Sequence, residues 1–288
     1  MKKYKGFTVY KFTKSVPEMT ETMFTNFEFT GISPLHLICH GLKKNLMGEF
    51  ITRTEEGIFL SVVVQKKTLN PFQLKTLTAA KIKLRELEAD RKLAKAEIAQ
   101  AKQDAKEELT QTTFPKEPEV FTVHIDKDLM YISAPTHRVA EEVIAMIRKA
   151  VGTLPVVPVN MKEDVAGVLT DMVANKEKSA DHKFTLGNDL VLVDEHDVKT
   201  VFNDAYKGKT EPFLDDESLS IVTRLAVEYD GMISVRIDED LQFSGMKFLD
   251  SSIFEDIEDY GGYDLVVFNE IKTLFKDVVK LCGGIEGE

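Results

Sequence analysis

Leu219-Ser220-Ile221-Val222-Thr223-Arg224-Leu225-Ala226-Val227-Glu228-Tyr229-Asp230-Gly231-Met232-Ile233-Ser234-Val235-Arg236-Ile237 alternates apolar and polar side chains on both sides of one Asp-Gly pair. A period of two places alternate side chains on opposite faces of a strand. Asp-Gly supplies the two positive-φ positions of a two-residue hairpin turn. The stretch therefore predicts two antiparallel strands, Leu219–Tyr229 and Met232–Ile237. A further short strand is expected at Leu241–Phe248, and then a helix from about Tyr263 to Cys282, stopped by Gly283-Gly284.

The same reading extends towards the N-terminus. Pro135 to Val151 is expected to be a helix with Val139, Val143, Ile144 and Ile147 on its apolar face, ended by Gly152. Leu154-Pro155-Val156-Val157-Pro158-Val159 must be extended, because each proline biases its predecessor away from helix. A helix follows from about Glu163 to Asn175. Upstream, Val120–Ile125 and Leu129–Ser133 flank Asp126-Lys127-Asp128, a second hairpin signal. Residues 176–216 are polar with short strand-like pieces such as Leu190–Val193.

The first third is organised differently. Tyr4 to Phe12 alternates as a strand with one buried face and one lysine-bearing face. Pro17 opens a short helix to about Phe24, and Gly57–Gln65 is a strand rich in aromatic and β-branched residues. Asn70-Pro71 is an N-cap with proline at the first helical position. From Phe72 to about Thr110 there is no Gly or Pro, and strong helix formers dominate. The apolar stripe Leu74, Leu77, Leu84, Leu87 loses phase around Asp90–Lys95. Two helical pieces or one bent arm are expected, ending before Phe114-Pro115; a continuous helix would be about 60 Å long. Five regions result: a basic N-terminal α/β region (1–70), a helical arm (71–116), a central α+β region (117–175), a polar tip-like region (176–216) and a C-terminal hairpin and helix (217–288).

The 288 residues include 43% hydrophobic side chains, enough for a full core and against wholesale disorder. No apolar run approaches the ~18 residues of a membrane span, and no apolar signal core follows the charged N-terminus. Two cysteines, Cys39 and Cys282, cannot form a disulfide framework, which fits a reducing cytoplasm. The net charge of −11 argues against nucleic acid, but it is unevenly spread. Residues 1–116 carry 20 Lys+Arg and 13 Asp+Glu, a net of +7; residues 117–288 carry 17 and 35, a net of −18. Such asymmetry fits a polyanion-binding face, or simply two solvated surfaces of different sign.

Few residues suggest catalysis. His36, Cys39 and His40 could supply zinc ligands, but no paired Cys/His set completes a tetrahedron. The carboxylate groups Asp126/Asp128, Asp215/Asp216/Glu217, Asp238/Glu239/Asp240 and Glu255/Asp256/Glu258/Asp259 fall at turns or near a helix start, where solvation or the helix dipole explains them. No phosphate-binding glycine loop, Ser-His-Asp order or dinucleotide fingerprint is present. No catalytic residue, metal ligand or cofactor is expected. The basic residues are more coherent. Lys2, Lys3 and Lys5 (with Lys11 and Lys14) surround the first strand, Lys66 and Lys67 end the second, and Lys75, Lys81, Lys83, Arg85, Arg91, Lys92 and Lys95 decorate the arm. Facing one way, they would contact phosphates without reading bases. The alternative is a solvated helix with Glu/Lys pairing, as at Glu88–Lys92.

Met146-Ile147-Arg148-Lys149-Ala150-Val151-Gly152-Thr153-Leu154-Pro155-Val156-Val157-Pro158-Val159 resembles the signature of the RdgC family of recombination-associated proteins. The opening Tyr4-Lys5 with Val9-Tyr10-Lys11, the hairpin from Val222 to Tyr229 with Met246-Lys247-Phe248, and the closing helix from Asp264 to Gly284 are similar to that family too. The resemblance implies an elongated, horseshoe-like α+β subunit with mixed or antiparallel sheets, pairing at both ends into a closed ring dimer. Such a ring would encircle double-stranded DNA without sequence preference and modulate a recombinase or nuclease in the cytoplasm, at the nucleoid. Arg148 and Lys149 join the expected DNA contacts, although they could equally cap their own helix. Two departures stand out. Lys116-Glu117-Pro118-Glu119 replaces a basic, aromatic stretch, and Asp194-Glu195-His196-Asp197 stands where the family shows a basic turn. Two other functions stay open: a metal-dependent DNA exonuclease using acidic turns, and an acidic interaction module that binds a DNA-processing partner.

Overall fold

The computed structural model describes residues 4–174, 183–203, 220–250, 252–254, 257 and 260–287. The chain divides into two compact units. One comprises Met1–Met19, Thr52–Phe59 and Thr122–Glu288, and the other Thr20–Ile51 and Leu60–Phe121.

The larger unit is a mixed α+β structure on an antiparallel sheet. Its strands are β1 (Gly6–Phe12), β5 (Glu119–Asp126), whose first residues belong to the smaller unit, β6 (Leu129–Ile132), β7 (Val156–Pro158), β8 (Phe184–Val193), β9 (Lys199–Phe202), β10 (Ile221–Tyr229), β11 (Ile233–Asp238) and β12 (Phe243–Phe248). They run in the order β5-β6-β1-β12-β11-β10-β8-β9, with β7 also on β1. The decisive hairpin forms as its alternation predicts, with Tyr229 opposite Ile233, Val227 opposite Val235 and Leu225 opposite Ile237. Asp230 and Gly231 turn at φ 51° and 68°, the primed geometry that suits the twist of paired strands.

Helices α4 (His137–Val151), α5 (Val165–Ala174) and α6 (Tyr260–Leu281) serve this sheet. The core joins Phe7, Val9, Val222, Leu225, Val227, Val235 and Phe243 with Val267, Phe268, Ile271, Leu274 and Phe275 of α6. Phe7 stacks on Phe243 at 4.1 Å between ring centres. Here the strand expected to keep one lysine-bearing face is corrected. Phe7, Thr8, Val9 and Tyr10 are all buried. Tyr10 lies on the face away from the main core, where its hydroxyl meets Nδ1 of His137 at 3.1 Å at the start of α4.

The smaller unit contains α1 (Glu21–Phe24), β2 (Ile38–Lys43), most of β4 (Gly57–Lys66), α2 (Pro71–Ala89) and α3 (Lys95–Thr112). The helix expected from Pro17 is only the four residues of α1. β2, which the alternation did not reveal, pairs antiparallel with β4, Ile38 opposite Lys66 and Lys43 opposite Ser61. The short β3 (Ile51–Thr54) also pairs with β4. The core of this unit holds Phe24, Leu42, Phe50, Val62, Val63 and Val64. No helix among the described residues is long and apolar enough to cross a membrane.

Candidate nucleic-acid interface

The expected basic arm is a helical hairpin. Asn70 caps α2 by accepting from the N–H groups of Phe72 and Gln73, with Pro71 in the first turn. Asp90 ends α2 in the left-handed region at φ 49°. Glu97 opens α3 by accepting from the N–H of Ala94 at 2.8 Å. The helices then run antiparallel, with Lys81 Nζ 2.6 Å from Glu108 and Arg85 paired with Asp104. The lost phase of the apolar stripe at 90–95 is therefore the bend of the hairpin.

This folding-back neutralises four of the expected DNA contacts. Besides Lys81 and Arg85, Arg91 donates two hydrogen bonds to Glu97, at 2.9 and 2.7 Å, and Lys92 reaches Glu86 at 2.9 Å. The expected Glu88–Lys92 pair needs an unbroken helix; with α2 ending at Ala89, Lys92 turns back onto Glu86. Arg91 and the Ala94 N–H hold the Glu97 carboxyl down at about 2. Lys92 lowers Glu86, and Asp104 is lowered by the Gln100 amide and then by Arg85.

Lys67 is buried, with Nζ donating to the carbonyls of Pro34 and Thr110, both at 2.8 Å. It is withdrawn from any DNA-facing set, because phosphate contact would break both bonds and leave the buried Thr110 carbonyl without its donor. Lys66 is half-buried. Lys75, Lys83 and Lys95 are exposed on the helices, and Lys5 and Lys149 are exposed on the larger unit. Arg148 is exposed and donates to the Leu154 carbonyl at 3.4 Å, tying the end of α4 to the extended segment that follows. Lys2 and Lys3 lie outside the described residues. Lys43, Lys102, Lys106 and Lys116 are exposed on the smaller unit as well; along the chain they lie outside the basic groups that mark the first strand, the end of β4 and α2.

Charge also divides differently in space. The smaller unit has 14 Lys+Arg and 12 Asp+Glu, a net of +2, and the larger unit has 23 and 36, a net of −13. The lysines of the first strand belong to the acidic unit.

Among the described residues no group of three or more His, Cys, Asp or Glu could hold a metal ion. Cys39 and His40 are consecutive on β2, so their side chains leave opposite faces. Asp126 pairs with Lys272 at 2.8 Å. Asp238 is raised by burial and accepts from the Gln242 N–H at 2.9 Å. The carboxylates at 215–217 and at 255, 256, 258 and 259 lie outside the described residues. Asp194 accepts from the N–H groups of His196 and Val198, each at 2.9 Å, so the acidic turn between β8 and β9 is held by its own side chain.

The larger unit also holds an internal polar cluster. His124 lies flat on Phe59, ring centres 4.1 Å apart, with Nε2 3.1 Å from the Glu56 carbonyl. Lys272, also buried, bridges Asp126 and Glu56, and Asn269 donates to Glu56 at 3.2 Å. The cluster pins the β3–β4 turn to α6.

A family profile described as "Putative exonuclease, RdgC" matches residues 4–283. The chain is 24% identical over 315 aligned residues to the recombination-associated protein RdgC of Yersinia enterocolitica serotype O:8 / biotype 1B, and 25% identical over 314 to that of Yersinia pestis strain Pestoides F. The protein of the same name from Yersinia pseudotuberculosis serotype O:1b is also 25% identical. Each alignment covers 98% of both chains.

Proposed function

The chain belongs to the RdgC family, and we propose that it binds double-stranded DNA without sequence preference, as a homodimer that modulates access of a recombinase or nuclease. The observation that carries this reading is the match to recombination-associated relatives along almost the whole chain. The exposed cations Lys75, Lys83 and Lys95 on one helical hairpin support it, because cations that pair with no carboxylate among the described residues can displace counterions from phosphates. The contacts proposed are these three with Lys5, Lys66, Lys149 and, outside the described residues, Lys2 and Lys3. Lys81, Arg85, Arg91 and Lys92 join only if phosphate displaces their carboxylate partners. Arg148 joins if it releases Leu154. The dimer reading places two copies in a closed ring, which needs self-complementary patches. Phe114, Phe72 and Leu35, which are 90%, 75% and 67% exposed on the smaller unit, are the apolar side chains offered for one such patch.

A salt titration of binding to linear duplexes of unrelated sequence tests the reading. Affinity should fall steeply with salt and be the same for all sequences. Lys75→Gln, Lys83→Gln and Lys95→Gln together should lower the log–log slope by about 2–3, near one per lost phosphate contact. No retention at about 50 mM salt, where phosphate contacts are strong, would sink it.

The family description favours a second reading, a DNA exonuclease. It predicts that linear duplexes shorten with magnesium and stop shortening when a chelator is added. Full-length product over the same incubation sets it aside.

A further inference from the structure

We propose that the Lys44–Phe50 loop is a wedge whose crown, Leu46 and Met47, inserts between base pairs of bound duplex; this rests on the duplex-binding reading above. The loop leaves the chain between β2 and β3, both of which pair with β4. It is closed across its neck by Asn45 N–H to the Glu49 carbonyl at 2.7 Å and by Gly48 N–H to the Asn45 carbonyl at 3.1 Å. Inside it, Asn45 Oδ1 accepts from the N–H groups of Met47 and Glu49 at 2.9 and 3.0 Å. Gly48 takes φ 85°, a left-handed position that glycine occupies without a steric penalty.

The feet are fixed as well. Phe50 is buried, and the N–H groups of Phe50 and Ile51 donate to the Glu21 carboxylate at 2.9 and 2.8 Å. Lys44 lies 5.0 Å over the Phe50 ring and 2.7 Å from Glu28. On this rigid support Leu46 is 83% exposed and Met47 87% exposed. Two adjacent large apolar side chains held into water gain free energy when something covers them.

The chemistry selects the cover. Within Lys44–Phe50 the only charged side chains are Lys44 and Glu49, so the loop carries no net charge, and Lys44 is further held by Glu28. An anionic lipid surface calls for a run of cations, which this loop lacks. A base step offers apolar faces, and Leu and Met are among the side chains that wedge into such steps and kink the duplex by roughly 20–90°. Charge for holding the DNA would come from lysines elsewhere on the protein.

The test uses a linear duplex carrying 2-aminopurine at internal steps and a fluorophore pair at its ends, in about 50 mM salt. The wild-type chain should raise 2-aminopurine emission and shorten the end-to-end distance. Leu46→Ser with Met47→Ser should bind with the same salt slope and thermal midpoint, yet lose most of both signals. Leu46→Phe should keep them. Binding without unstacking, or unstacking unchanged in the double variant, overturns the wedge and leaves duplex binding standing. A changed sedimentation of the double variant, or binding to phosphatidylserine vesicles that the wild type shows and the double variant loses, would assign the crown to a second copy or to lipid and also overturn it. No duplex retention removes both readings.

Discussion

His124 shows how much one buried imidazole depends on its surroundings. The Glu56 carbonyl can only accept, so Nε2 carries the proton, and the buried Nδ1 has no hydrogen-bond partner among the described residues. Burial first, and the neighbouring Lys272 ammonium second, push this histidine down from 6.5 to about 4. Between those two values the unfolded chain binds a proton here that the folded chain refuses. The contribution to stability is therefore fully present above about pH 6.5 and is lost as pH falls towards 4. His124→Phe keeps the stack on Phe59 and removes the titration. Its loss of stability between pH 7 and 5 should be about 1–2 kcal/mol smaller than that of the wild type, measured by denaturant unfolding. Equal losses would move the acid sensitivity to the carboxylates. Nothing local to His124 in the chain announced this, since Phe59, Glu56 and Lys272 reach it only through the fold.

At the scale of the element, the helical hairpin was half legible. The Asn70-Pro71 start is local chemistry and reads directly, and so does the loss of phase at Asp90–Lys95. What the stripe could not say is that the second helix returns along the first, because a break in phase fits a kink as well as a reversal. That return decides the electrostatics. Lys81→Glu with Arg85→Glu would set carboxylates against Glu108 and Asp104 and should destabilise the protein by about 1 kcal/mol, the pairs being partly exposed. Adding Glu108→Lys and Asp104→Arg should restore most of the loss by re-forming the pairs with reversed sign. Lys75→Glu, Lys83→Glu and Lys95→Glu should stay within about 0.5 kcal/mol, since these side chains are exposed. Thermal unfolding of the three sets separates charge that holds the hairpin from charge available to DNA.

For the whole molecule, the +7 and −18 portions of the chain become units of net +2 and −13. Three separate segments build the larger unit, so a division made along the chain cannot equal one made in space. The smaller unit is thus close to neutral, and its DNA contacts would rest on a few exposed lysines rather than on bulk charge. Self-association, if it closes a ring, should draw on apolar surface. Phe114→Ser is expected to shift the proposed homodimer towards monomer in sedimentation velocity at micromolar concentration, with its fold unchanged because the ring is 90% exposed. An unaltered sedimentation coefficient would place the dimer contact on other residues.

Sequence alone determined the features that are settled within a few residues of one another: the Asp230-Gly231 hairpin, the turn at Lys127, the cap at Asn70, the stop at Gly152 and the extended prolines that follow. It also carried the family signature from Met146 to Val159. Tertiary structure alone decided that the first strand is buried on both faces, that Lys67 caps two carbonyls and that Lys81 and Arg85 answer Glu108 and Asp104. Only the fold, too, leaves Leu46 and Met47 uncovered on a rigid loop. The division is physical: turns, caps and propensities are set by neighbouring atoms along the chain. Burial and pairing of charge are set by whichever distant segment folds alongside, and that information is spread over the whole sequence.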